Sequence, residues 1–353
     1  MKKLLLASAV AALSVSAANA APTVYGKIFM TADYVDEEHK GINHDENGVE
    51  INSQSSRLGL KGSEPLSANT DIIYQLEYKI DVDNDNDDQT FKSRDTFLGV
   101  KNNTFGEFRV GHNQSTTDYI NNVVVNEGYW DNLGDTDLGD NKIRPVNMAD
   151  SGRIKNSVVW KAPKFDGIPL EFAAMYANDD NYAGEKNSGW GASLMFDQGA
   201  GYTLGVAYDD DVNLKEGSLI RGTATLDLAT FNSGFPVTLG ALYQEADYDD
   251  GKKKEKGYII SAEMGLTNFA KPAAIYTQYN NTSNLGGVKD FDSDQIVVGG
   301  KYYYQKNMIA HAYIGQNDAD NVPGVIRDTA GNLTSVKGDG KVFAVGAGLE
   351  YKF

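Results

Sequence analysis

Apolar and polar residues alternate with a period of two along most of this chain, in runs of roughly 9 to 13 residues, the signature of half-buried strands. Between Asp71 and Val82, Ile72, Tyr74, Leu76, Tyr78, Ile80 and Val82 share one face, while Asp71, Gln75, Glu77, Lys79 and Asp81 share the other. Further on, Tyr258, Ile260, Ala262, Met264 and Leu266 oppose Ser261 and Glu263. Ile220, Gly222, Ala224, Leu226 and Leu228 likewise oppose Arg221, Thr223, Thr225 and Asp227. The final stretch, KVFAVGAGLEYKF, carries Phe343, Val345, Ala347, Leu349, Tyr351 and Phe353 on one face up to its last residue. After Ala20 no run is apolar at membrane-helix length, and no amphipathic helix stands out.

The connectors alternate in kind. Short ones (Glu64–Ala68, Asn102–Phe105, Gln198–Gly201, Thr267–Lys271, Gln305–Asn307) take turns with long acidic ones such as DEEHKGINHDENG, DVDNDNDDQ and QNDADNVPGVIRDTAGNLTSVKGDG. Short turns at one end and long polar loops at the other predict an all-β, up-and-down antiparallel barrel of about 16 strands. Three features favour a barrel in a membrane over a soluble sheet. The strands exceed the five or six residues usual in soluble sheets. Tyr, Phe and Trp gather near the ends of the apolar faces, as interfacial girdles do. Charges lie deep within the opposite faces, which suits a wet lumen, and a closed barrel satisfies every backbone group.

Composition narrows the class. The 353 residues include 37 Gly, 20 Tyr, 14 Phe and no Cys, so disulfides, thiolate metal sites and cysteine nucleophiles are excluded. MKKLLLASAVAALSVSAANA has a basic start, an apolar run and an Ala-Asn-Ala site; residues 1–20 are expected to be a cleaved signal peptide and 21–353 the barrel. The formal charge is −17, and −19 once Lys2 and Lys3 leave with the signal, which argues against nucleic acid as a partner.

Specific motifs then match a family. TVYGKIFMTADY, SSRLGLKGSEPLSANTDIIYQLEY, SRDTFLGVKNNTFGEFRVGH, GRIKNSVVWKAPKFDGIPLEFAAMY and the terminal GLEYKF resemble the Gram-negative general diffusion porins. The first half carries the specific motifs; the second matches in pattern and length. The resemblance implies a trimer of 16-stranded outer-membrane barrels that pass ions and small hydrophilic solutes passively. It also implies contact with lipid and lipopolysaccharide, and handling by periplasmic chaperones and the barrel-assembly machinery. For the last strand it implies an assembly signal in Phe353, Tyr351 and Leu349.

In such porins the third long loop folds inward and faces a basic wall. Carried over by motif, the wall would hold Lys27, Arg57, Lys61, Arg94 and Arg153. Parity supports several independently: Lys27 alternates with Gly26 and Ile28, Arg57 and Lys61 with Leu58 and Leu60, and Arg153 and Lys155 with Ile154 and Val158. Arg94 fits less well, because parity then sends Asp95 outward with Phe97. The inward loop is expected at about 113–152. Its facing acids are placed first at Asp135 and Asp137, in a glycine-flanked tip, then at Glu127 and Asp131. Opposed charge across a constriction would align small polar solutes and reject apolar ones; alternatively the arginines brace the loop through ion pairs.

Other clusters read as solvated loops. Asp83, Asp85 and Asp87 alternate as oxygen ligands could, but no glycine turn or spaced Glu completes a calcium loop. No metal site or cofactor is therefore expected beyond Ca²⁺ or Mg²⁺ held loosely at acidic loops. His39 and His44 lie with Glu38 and Asp45 in the first expected loop, yet neither H-E-x-x-H nor G-x-S-x-G occurs, and catalysis is not expected. A substrate-selective channel and, further off, an adhesin or structural barrel are the competing readings.

Overall fold

The computed structural model describes residues 21–83, 91–131, 145–150, 152–165, 167–179, 187–199, 201–212, 217–232, 234–327 and 333–353. The signal-peptide expectation falls on residues 1–20, outside them. Seventeen antiparallel segments form one sheet. They are β1 (Thr23–His39), β2 (His44–Ser53), β3 (Arg57–Ser67), β4 (Thr70–Ile80), β5 (Phe91–Asn102), β6 (Gly106–Gln114), β7 (Arg153–Lys161), β8 (Leu170–Asp179) and β9 (Asn187–Asp197) in the first half. The second half adds β10 (Tyr202–Asp210), β11 (Gly217–Asp227), β12 (Val237–Tyr248), β13 (Glu255–Leu266), β14 (Ala273–Ser283), β15 (Asp292–Gln305), β16 (Met308–Arg327) and β17 (Leu333–Lys352). β2 and β3 both pair with β1, β2 along Met30–His39 and β3 along Thr23–Lys27. They are one stave interrupted at Gln54–Ser56, where Ser55 takes φ 51°. The barrel thus has sixteen staves, as the alternation predicts.

Closure comes from β1 pairing with β17 over thirteen positions, from Lys27↔Lys352 to His39↔Gly340. The last bonds of this seam join Gly26 N–H to the Phe353 carbonyl at 2.9 Å and Phe353 N–H to the Gly26 carbonyl at 3.1 Å. A side chain at Gly26 would strike the Phe353 ring at 2.4 Å, so glycine here lets the terminal ring lie on the neighbouring strand.

The apolar faces point outward. Leu98, Val110, Ile260, Ile296, Leu349 and Phe353 are exposed, while Arg221, Ser261 and Gln295 on the opposite faces are buried. Aromatic pairs mark both rims. Near the short turns lie Phe108–Trp160, Trp160–Phe172, Phe196–Tyr202, Tyr302–Tyr304 and Tyr351–Phe353; near the long loops lie Tyr78–Phe91, Trp190–Tyr208 and Tyr258–Tyr279. Two girdles separated by an apolar band are what a bilayer requires.

The structure corrects two expected loops. DEEHKGINHDENG lies mostly in β1 and β2, which pair up to His39↔His44 and leave four residues at the tip. Most of the last acidic stretch likewise belongs to β16 and β17. Beyond the membrane the outer face meets water instead of lipid, so the hydrogen-bond ladder continues with polar residues at outward positions and the apolar alternation disappears. The segment at 84–90, including Asp85 and Asp87, lies outside the described residues. Asp83 accepts a hydrogen bond from Ser53 N–H.

Candidate functional site

Between β6 and β7 the chain enters the barrel. After a 3₁₀ turn at Thr116–Ile120 (η1), it runs extended to another at Gly128–Trp130 (η2), and it returns along 145–150. Irregular backbone inside a barrel needs partners for its polar groups, and inward side chains supply them. Val125 N–H donates to Gln278 (2.8 Å), and Val123 carbonyl accepts from Ser261 (2.6 Å). Asn317 bonds both backbone groups of Val146, at 3.1 and 3.0 Å. Ala149 N–H donates to Glu255 (2.8 Å), and its carbonyl accepts from Arg221 (3.2 Å) and Gln244 (2.6 Å).

Apolar anchors seat the same segment. Trp130 is fully buried among Val35, Tyr276, Val297, Tyr313, Val342 and Ala344, and its indole N–H reaches the Ala344 carbonyl at 3.3 Å. Val123 and Met148 pack on Leu242 and Ile259, and Ile120 on Met195 and Ala207. A Cβ at Gly315 would lie 2.6 Å from the Trp130 ring, so the wall is small where the indole sits. The inward positions Val342, Ala344 and Gly346 of the last strand thereby acquire a reason: they form a dry bed for the loop.

The opposite wall carries an alternating charge row. Lys27 on β1 pairs in register with Arg57 on β3. Glu77 on β4 sits 2.7 Å from Arg94 and 3.9 Å from Arg57, and accepts from Tyr25 OH at 2.9 Å. Asp95 holds Arg153 at 3.0 Å. The expected outward position of Asp95 is wrong, for a clear reason. The β4–β5 register slips between Leu76↔Thr96 and Tyr78↔Ser93, so Arg94 and Asp95 together oppose Glu77. That bulge turns both charges inward, and Phe97 is also buried, under the Arg109 guanidinium at 4.5 Å. Ile154 differs from expectation too. The β6–β7 register slips between Gly111 and Asn113, Asn156 takes φ 51°, and Ile154 packs by buried Val159 and Met175 rather than beside outward Val158. Arg153 still reaches the lumen row.

The loop's acids meet this row in part. Asp131 and Glu127 lie within electrostatic range of Lys27, and Asp131 also of Arg57 and Arg94. Glu127 additionally pairs with Lys301 on β15 at 3.2 Å, and Lys301 with Glu263 at 3.2 Å. Asp135 and Asp137 lie outside the described residues. Lys61 faces inward with its ammonium 4.9 Å from the Tyr25 ring, two inward positions nearer the short-turn rim than Arg57. Glu77, Asp95, Lys301 and the Glu350–Lys352 pair (2.7 Å) are the charged groups that sequence reasoning passed over. Parity did mark Glu77, which lies on the polar face of its strand, and Lys301, which alternates with Gly300 and Tyr302.

A family model described as Gram-negative porin matches residues 7–322. The chain belongs to the Gram-negative porin family. Over 370 residues, covering all of both chains, this porin is 28% identical to the major outer membrane protein P.IB of Neisseria meningitidis serogroup B. It superposes on the anion-selective porin from Comamonas acidovorans with TM-score 0.68 at 17% identity, covering 95% of this chain and 100% of that one. OmpT of Vibrio cholerae, solved in a trimer form, gives TM-score 0.61 at 15% identity, covering 95% and 99%. The porin is a multi-pass β-barrel of a Gram-negative outer membrane and forms a channel for passive diffusion.

Proposed function

We propose that this porin filters ions and small hydrophilic solutes at a constriction between the inward loop and the β1–β7 wall. Lys27, Arg57, Arg94 and Arg153 supply its basic side, and Glu127 and Asp131 the near side of the loop. The observation that carries this reading is Asp131, on the loop and within electrostatic range of three wall cations. Lys61 acts below the eyelet, as a cation nearer the short-turn rim. Glu77 bridges Arg57 and Arg94, and Asp95 holds Arg153, so these carboxylates neutralise part of the wall and fix the arginines that define the field. Lys27, Arg57, Arg94, Arg153, Lys301 and Lys352 face six carboxylates, Glu77, Asp95, Glu127, Asp131, Glu263 and Glu350. With these groups in balance, the formal charge of −19 that remains once Lys2 and Lys3 leave with the leader, and the acids among residues 135–140, favour weak cation selectivity.

The same reading includes a homotrimer, in keeping with the trimer form of the Vibrio cholerae relative. It includes a cleaved leader at 1–20, a last strand that serves as an assembly signal, and loop contacts to lipopolysaccharide. It assigns diffusion rather than catalysis. Purified protein in a planar bilayer under a salt gradient tests it: stepwise ohmic channels, often in threes, with a small cationic reversal potential are expected. Correctly folded protein without conductance would contradict the reading and favour a structural barrel.

A further inference from the structure

Where the loop crosses β16 and β17, three potential metal ligands converge: Glu127 from the loop, His311 from β16 and Glu350 from β17. Their ligating atoms lie within 4.8 Å of one another, and His311 and Glu350 are buried. His311 Nε2 and Glu350 Oε2 are 3.1 Å apart and share one hydrogen bond. With bonds of about 2.0 Å to each, a metal replacing the shared proton would see them at about 100°, close to the tetrahedral angle. The other ring nitrogen, Nδ1, is buried with no hydrogen-bond partner among the described residues. The His311 ring lies tilted against Phe29, with centroids 4.6 Å apart, which holds it in place on the wall. Glu350 engages Lys352 through its other oxygen, Oε1, and Glu127 engages Lys301 through Oε1, so each carboxylate keeps an oxygen for a metal while its lysine stays.

We propose that Glu127, His311 and Glu350 form a site for a late first-row divalent cation such as Zn²⁺. One nitrogen and two carboxylate oxygens suit Zn²⁺, and the imidazole disfavours Ca²⁺ and Mg²⁺. Glu127 must close the widest separation, and it alone of the three stands on the loop. A bound ion therefore ties the loop to the β16–β17 wall and places two positive charges beside Lys27. Binding is independent of the channel reading; its consequence, reduced conductance with less cation preference, rests on it.

Calorimetric titration of the detergent-solubilised porin with ZnCl₂ tests the site. Saturable binding of about one zinc per chain is expected, reversed by chelator and not reproduced by MgCl₂, and weakened by about tenfold or more in His311→Gln. Glu127→Gln, which leaves the sheet untouched, is expected to weaken it similarly and serves if the wall variant fails to fold. In bilayers, zinc should reduce wild-type current and leave both variants' currents unchanged. Equal zinc affinity in wild type and both variants, or no saturable binding, would overturn the site. Channels that open without zinc but ignore it would remove the proposed consequence while keeping the channel.

Discussion

Trp130→Ala removes the side chain that seats the loop on its dry bed. The indole is fully buried against six wall residues and donates one hydrogen bond to Ala344. Truncating a buried tryptophan costs about 3–5 kcal/mol in lost transfer and packing. The barrel's backbone ladder does not depend on this side chain, so the cost falls on docking of the loop rather than on the sheet. At about 1.4 kcal/mol per decade, the undocked population rises by roughly two to three and a half orders of magnitude. The loop keeps its bonds to Gln278, Ser261, Asn317 and Glu255, so undocking is local around Gly128–Asp131. Single-channel recording should then show greater open-channel noise and larger mean conductance. Limited proteolysis should cut within the loop, while the heat needed to unfold the barrel changes little. Trp130→Phe, which keeps most of the apolar contact, should lie near wild type. Unchanged noise, conductance and protease resistance in Trp130→Ala would refute the anchoring role.

Other expectations follow from single contacts. Glu77→Gln strips the counter-charge from Arg57 and Arg94; it should move the reversal potential toward anions and lower thermal stability by about 1–3 kcal/mol. Gly26→Val places a side chain against the Phe353 ring and the Arg57 carbonyl, and should sharply reduce the fraction of barrel that closes on refolding. Gly222→Ala, whose nearest neighbour would be 4.0 Å away, should refold normally. Burial, with Glu127 beside it, pushes the Asp131 carboxyl up to about 6, and the neighbouring cations Lys27, Arg94 and Arg57 hold back the rise. A carboxylate so raised loses its charge as pH falls through that value, so from about pH 7 to about pH 5 selectivity should drift toward anions. In Asp131→Asn most of that drift should vanish.

Much of the fold was legible because a barrel stave exposes one face to lipid and the other to water. Leu58, Leu76, Ile220, Ile260 and Leu349 announced their orientation, and strand length with turn spacing then set the count at sixteen. Legibility ended where that contrast ends. Beyond the bilayer, the stretch from Asp36 to Asn47 is polar at every strand position, and β1 and β2 extend unannounced. Within it, one inserted residue at Arg94–Asp95 inverts parity, and no local composition marks a bulge. The inward loop's bed was visible only as an anomaly: Val342, Ala344 and Gly346 are uncharged where a wet lumen was expected. The cations proposed for the wall came from short motifs on the strands. The loop acids were harder to fix, because their register depends on where Trp130 and Val123 dock on strands distant in sequence, and no periodicity encodes such contacts.

The most direct test of an opposed-charge constriction is the reversal potential under a potassium chloride gradient, measured for wild type, Arg94→Ala and Asp131→Asn. The two sides carry opposite charge across one lumen, so Arg94→Ala should move it toward cation selectivity and Asp131→Asn toward anion selectivity. Shifts in the same direction, or none in folded, conducting protein, would contradict the assignment of these residues to the selectivity filter.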